Sequence, residues 1–226
     1  MAVSDRVAEM VVDRWGVPAG RVSVVPSFVD PPARSELAGT DAAGSRRDLV
    51  AIGSLVPRKG AEHVVALVAL LARERPGIRA AWVGGDRTTP YADLIATDIA
   101  SAGLAGAFAL PGEVADVAPW WPTEGVVVHL AREDPAPLVV LEAGLQGIPV
   151  VTWDTGGAAD LLRRAGLDEL VAAPGDLVAV ADAVRHLLED SRARADAGGA
   201  LRAASAERTV DHLARPLLDA VTGVTS

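Results

Sequence analysis

Short apolar runs alternate with longer amphipathic stretches along most of the chain. Leu49–Gly53, Ala80–Val83, Ala107–Leu110, Val126–Leu130, Val150–Thr152 and Leu170–Ala172 are such runs. Their residues are apolar almost throughout rather than alternating, which predicts strands buried on both faces. Between and after them, 61–75, 91–102, 137–146, 158–165, 176–188, 191–198 and 201–220 read as helices, with a brief one at 117–121. Ahead of the first run, Val7, Met10, Val11 and Trp15 recur at helical spacing, with Ser4 placed to cap the start and Gly16 to end it. Val22–Val25 is a candidate short strand. Strands of about five residues alternating with helices of ten or more predict an α/β fold, a Rossmann-like parallel sheet with helices on both faces. Right-handed crossovers would set every strand-to-helix turn along one edge, where ligands bind.

Composition narrows this picture. The chain has 226 residues, enough for one large or two small domains. Residues 26–48 carry three prolines, two glycines and scattered charges, the make-up of a linker or irregular loop. A formal net charge of −9 argues against a nucleic-acid or anionic-membrane partner, yet leaves room for a small anion in a local positive pocket. With no cysteine there is neither a disulfide framework nor a thiolate metal site. His63, His129, His186 and His212 are scattered without metal-ligand spacing, so no metal is expected; His129, on a buried strand, reads as a satisfied core or rim residue. No transmembrane segment or secretory signal is visible, which makes a cytoplasmic location the expectation.

The turns then offer chemistry. Val126–Leu130, the charged turn 131–136 and a helix opening at Pro137 form one strand–turn–helix unit. Asp134 stands at the mouth of that turn, and Glu142 is the only ionisable residue between Pro137 and Trp153. A carboxylate in so apolar a segment needs a partner, either a structural ion pair or a ligand; Asp134 could equally be a favourable charge at a helix N-terminus. Free N–H groups near Ala136, Leu138 and Val139 suit a diphosphate, Pro137 having none. Arg58-Lys59-Gly60 follows the first strand and is either a solvated basic turn or an anion site. Gly84-Gly85-Asp86 and Gly156-Gly157 mark close approach of a ligand or tight turns. Trp120-Trp121 reads as core packing ahead of base stacking.

The string REDPAPLVVLEAGLQGIPVV, 132–151, with Asp134 and Glu142 separated by seven residues, resembles the donor-site signature of the group 1 (family 4) retaining glycosyltransferases. The resemblance covers about residues 2–200. It implies one half of a GT-B fold: the tail end of a missing N-terminal domain at 1–30, a linker at 31–48, a Rossmann-like nucleotide-sugar-binding domain at 49–200 and a C-terminal helix at 201–226. It further implies a nucleotide diphosphate sugar as donor, retention of anomeric configuration and no essential metal or cofactor. Lys59, helped by Arg58, would contact the diphosphate; Val114, in the turn Gly112-Glu113-Val114, would meet the nucleobase through its backbone. Asp134 would lie near the sugar hydroxyls and Glu142 would hold the ribose hydroxyls. Catalysis would therefore rest on Lys59, Asp134 and Glu142, the acceptor being unknown and held by a missing or separate domain. Ser54 stands where the family commonly has an Arg, so one phosphate contact is absent. Two alternatives remain open at this point: a non-catalytic nucleotide-sugar-binding half-protein or subunit, and a nucleotide-sugar epimerase of the same fold.

Overall fold

The computed structural model describes residues 1–29, 46–210, 212–214 and 218. The linker expected at 31–48 lies outside them except for its last three residues, as does most of the expected helix beyond Val210. Among the described residues six strands form one parallel sheet: β1 (Leu49–Ile52), β2 (Ala80–Val83), β3 (Phe108–Gly112), β4 (Val126–His129), β5 (Val150–Trp153) and β6 (Val171–Ala172). Their order is β3-β2-β1-β4-β5-β6. The chain winds outward from β1 in one direction and from β4 in the other, so the neighbours β1 and β4 define the switch point at which a doubly wound sheet opens a crevice.

Helices whose full span lies among the described residues are α1 (Asp5–Trp15), α2 (Ala61–Ala72), α3 (Pro90–Ser101), α4 (Leu138–Gln146), α5 (Gly157–Arg164), α6 (Leu177–Glu189) and α7 (Ser191–Ala206). α2 packs on α3 and α6, while α7 packs on α4 and α5. Capping is local and conventional in its chemistry. Ser4, Thr89, Asp176 and Asp190 each accept a backbone N–H in the first turn of α1, α3, α6 and α7. β2, β4 and β5 are buried along their whole length. That burial explains why they read as unbroken apolar runs: both faces of these strands are covered. Leu49, Leu67, Ile95, Leu130, Leu162, Leu187 and Leu201 are among the fully buried side chains of one continuous core.

Three local expectations are corrected. The helices expected at 191–198 and 201–220 begin as one, since α7 runs unbroken through Gly198 and Gly199. A Cβ at Gly198 would sit 2.0 Å from the Gly147 carbonyl oxygen, and one at Gly144 would sit 2.1 Å from Ser205 Oγ. Glycine is kept for the close approach of α7 to α4, which offsets its helix cost of about 1 kcal/mol. Val22–Val25 is no strand but a single bridge between Ala2 and Val24. Pro137 caps α4 from outside, with extended backbone, rather than occupying its first turn.

Candidate functional site

The turns after β1, β4 and β5 meet at the switch point. Pro57–Lys59 forms a 3-10 turn after β1, and Gly60, at φ 74°, turns the chain into α2. Glycine is required there twice over, by that φ and because a Cβ would lie 2.3 Å from the Leu130 carbonyl oxygen. The turns after β1 and β4 are thus pressed backbone to backbone. Arg132 N–H donates to the Arg58 carbonyl at 2.9 Å, and the Arg58 guanidinium donates to the Glu133 carbonyl at 2.6 Å. Arg132 also donates to the Pro57 carbonyl and pairs with Glu62, which accepts from Tyr91 Oη as well. Burial opposes ionisation of Glu62, but the hydrogen bonds from Tyr91 and Arg132 prevail and hold its pKa low. Burial, helped by the Glu62 bond, pushes the Tyr91 phenol up. The turn after β5 is tied in by Thr155 Oγ1 donating to the Ala131 carbonyl at 2.8 Å and Gly157 N–H donating to the Asp134 carbonyl at 3.2 Å. A Cβ on Gly156 would meet that same carbonyl oxygen at 2.3 Å, so its glycine serves the packing of two turns.

This scaffold brings Lys59 and Asp134 together. Lys59 Nζ donates to Asp134 Oδ2, and His129 Nε2, on the last residue of β4, reaches the same oxygen at 3.0 Å. Asp134 is 8% and His129 7% exposed, so this is a buried charge cluster and not the solvated helix-end charge that Asp134 could have been. Burial by itself would raise the Asp134 pKa. The hydrogen bonds and charges of His129 and Lys59 outweigh it and hold the carboxyl down at about 2. His129 is the residue that sequence reading underrated. Its signal was a histidine ending an otherwise apolar strand five residues before Asp134. It is also not fully satisfied, because its buried Nδ1 has no partner among the described residues.

Glu142 behaves differently. It sits half-buried on α4 one turn beyond Leu138, and Leu138 is 46% exposed, so this face of the helix is uncovered at its N-terminal end. No cation or hydrogen-bond donor among the described residues reaches its carboxylate, and burial pushes its pKa up. The ion-pair explanation for Glu142 therefore has no partner here. The N–H groups of Ala136, Leu138 and Val139 likewise have no acceptor among the described residues, leaving the start of α4 open to an anion.

The other expected positions lie further along the same edge. Gly85 is packed against the backbone of Leu55, and Gly84 N–H donates to the Gly112 carbonyl at 2.8 Å, so these glycines join protein turns to one another. Val114, just past β3, rests its side chain on Val50, Ala81 and Val83. Trp120 packs on the same patch with the Arg47 guanidinium 4.3 Å above its ring, and Trp121 is buried, as core packing requires. Ser54 is exposed and supplies no cation at the end of β1. No group of three or more His, Asp or Glu gathers as a metal site among the described residues, and none of their helices is long and apolar enough to cross a membrane.

The β1–β4 switch point of this α/β sheet thus carries a lysine, two acids and an open helix start. Residues 46–190 match the family described as glycosyl transferases group 1, and the chain belongs to that family. A GDP-mannose-dependent α-(1-6)-phosphatidylinositol monomannoside mannosyltransferase of Mycobacterium tuberculosis is 31% identical over 212 residues, covering 86% of this chain and 52% of that protein. An exopolysaccharide phosphotransferase of Streptomyces coelicolor is 26% identical over 194 residues, covering 84% of this chain and 19% of its own length. The chain thus spans about half of one relative and a fifth of the other. The crystal structure of Anabaena Alr3699/HepE in complex with UDP superposes with a TM-score of 0.85 at 20% identity, covering 99% of this chain and 63% of that one. That similarity establishes the fold.

Proposed function

We propose that this chain carries the donor site of a retaining glycosyltransferase and binds a nucleotide diphosphate sugar at the β1–β4 switch point. The observation that carries the reading is Glu142, a half-buried carboxylate without a partner among the described residues, on the helix whose open start follows the Lys59–Asp134 pair. A carboxylate so placed is suited to accept two hydroxyl hydrogen bonds from a ribose. Lys59 and the N–H groups of Ala136, Leu138 and Val139 would hold the diphosphate, with Arg58 beside them. Asp134 would face the sugar hydroxyls, and the backbone at Val114 would meet the base. In the reaction the bond from the anomeric carbon to the diphosphate oxygen breaks and its electron pair leaves with the diphosphate. The acceptor oxygen then bonds to the anomeric carbon on the same face and passes its proton to the departing diphosphate oxygen. Lys59 and the helix N–H groups stabilise the charge that grows on the leaving oxygen, which needs no metal. The acceptor would be held by a second domain facing this edge, a division in keeping with the 52% of the mannosyltransferase that the chain spans.

The experiment is a calorimetric titration of the folded chain with UDP, GDP, ADP and dTDP, repeated with the matching sugar diphosphates. The reading expects saturable binding of at least one diphosphate, with its sugar conjugate competing. No heat from any of them at millimolar ligand ends it.

A further inference from the structure

Asp134 Oδ2 is reached by two side-chain nitrogens at once, and the two are built very differently. Lys59 reaches it on a flexible stem from the end of a 3-10 turn and keeps a fifth of its side chain in solvent. His129 reaches it from inside the sheet. Its ring is buried, and its carbonyl is pinned by Thr152 Oγ1 at 2.9 Å. Asp134 is ionised and can only accept, so His129 Nε2 carries the proton between them. Among the described residues Nδ1 has no partner, and the bond to Asp134 is the ring's one polar attachment. Asp134 Oδ1 accepts nothing among the described residues and remains for a ligand. On the donor-site reading, Lys59 has to leave Oδ2 in order to meet a diphosphate. Without His129, the carboxylate would then be left with no side-chain donor and would either hold on to the lysine or take up a proton.

We propose that His129 is a positioning residue, whose Nε2–H holds the Asp134 carboxylate in place while Lys59 passes from that carboxylate to the donor diphosphate. The inference rests on the proposed donor site. It adds that the site has a fixed donor and an exchangeable one on the same oxygen. The rigid ring keeps Oδ1 directed outward as the flexible amine departs. Gly157 N–H, on the Asp134 carbonyl, fixes the main chain from the other side. His129 and Lys59 are the groups whose charge and hydrogen bonds favour the ionised Asp134, so removing one isolates the other.

Two measurements test this. The first uses no nucleotide: the Asp134 carboxyl is titrated by carbon NMR in Lys59→Met, Lys59→Met/His129→Leu and Lys59→Met/His129→Gln chains. The expected result is titration below the ordinary carboxylate value of 3.8 in the first, above it in the leucine variant, and below it again in the glutamine variant, which keeps a donor. Titration at the same pH with and without a donor at position 129 overturns the proposal. The second is nucleoside diphosphate affinity on the otherwise intact chain. His129→Leu should bind about tenfold more weakly or worse, and His129→Gln within about threefold of the parent. In an Asp134→Asn background the leucine substitution should cost nothing further, as coupled residues behave. A purely additive loss contradicts the proposal. So does a folded His129→Gln chain that loses tenfold, whatever the leucine variant does. If the parent chain binds no diphosphate, the donor-site reading fails, and the first measurement still decides whether His129 holds Asp134.

Discussion

Replacing Asp134 by Asn tests the charge cluster at the switch point. The amide keeps the shape of the carboxylate but removes the charge that Lys59 and His129 share. The carboxyl is held at about 2 against an ordinary 3.8, a difference worth roughly 2–3 kcal/mol of native stability at neutral pH. Because the native pKa is depressed, that contribution is complete above the ordinary carboxylate range. It is lost as pH falls from about 4 towards 2. For a chain of this size Asp134→Asn should lower the melting temperature at pH 7 by roughly 5–10 °C. The gap between variant and parent should narrow progressively below pH 4. Ligand binding should move the other way. With no carboxylate to hold it, Lys59 is free for a phosphate, so a nucleoside diphosphate without its sugar should bind as well or better. The sugar diphosphate should lose its advantage over the free diphosphate. Thermal melts across pH and paired calorimetric titrations read both effects. Equal stability at pH 7, or a deficit that persists unchanged at pH 2.5, would refute the reasoning.

Glu142→Gln should weaken nucleotide binding while leaving the melting temperature at pH 7 unchanged or higher. The native pKa of Glu142 is raised, so its ionisation opposes folding once pH passes the ordinary carboxylate range. A hidden ion pair would instead show as a loss of about 3–5 kcal/mol in denaturant unfolding. Gly60→Ala should cost about 2–3 kcal/mol by strain at positive φ and the clash with Leu130, read by the same unfolding, and should weaken diphosphate binding by displacing Lys59. Sugar transfer by this chain alone should be slow at best, because holding the acceptor against the anomeric carbon can supply about 7–11 kcal/mol of the barrier. Labelled nucleotide sugars and an acceptor panel, offered to this chain and to one joined to a candidate acceptor domain, check it; robust transfer by the short chain contradicts it.

The sheet was legible because both its faces are covered. Val126–His129 and Val150–Trp153 show no alternation, as strands buried on both faces do not. The site's acids were legible through spacing: Asp134 and Glu142 stand out against apolar neighbours. Which carboxylate had a protein partner was not legible, since it depends on β1 and β4 lying side by side, bringing Lys59 and Asp134 together across 75 residues of sequence. His129 was misjudged for a related reason. A histidine on a buried strand looks the same in sequence whether its ring meets a carbonyl or a carboxylate. Gly198 misled in the opposite direction, because a glycine that permits close helix packing resembles one that ends a helix. The tie of Arg132 to Glu62 and Tyr91 joins three elements that nothing local connects.

The central claim is that a nucleotide diphosphate sugar occupies the switch-point edge of the sheet. Amide chemical-shift mapping during titration with UDP, GDP, ADP and dTDP tests it most directly. Saturable shifts are expected at Lys59, Leu138, Val139 and Glu142. None are expected around Gln146, Arg194 and Arg202, which line a separate cavity of about 490 Å³ near the opposite end of α4. Saturable binding that moves only this second set, or no shifts at millimolar ligand, would contradict the claim.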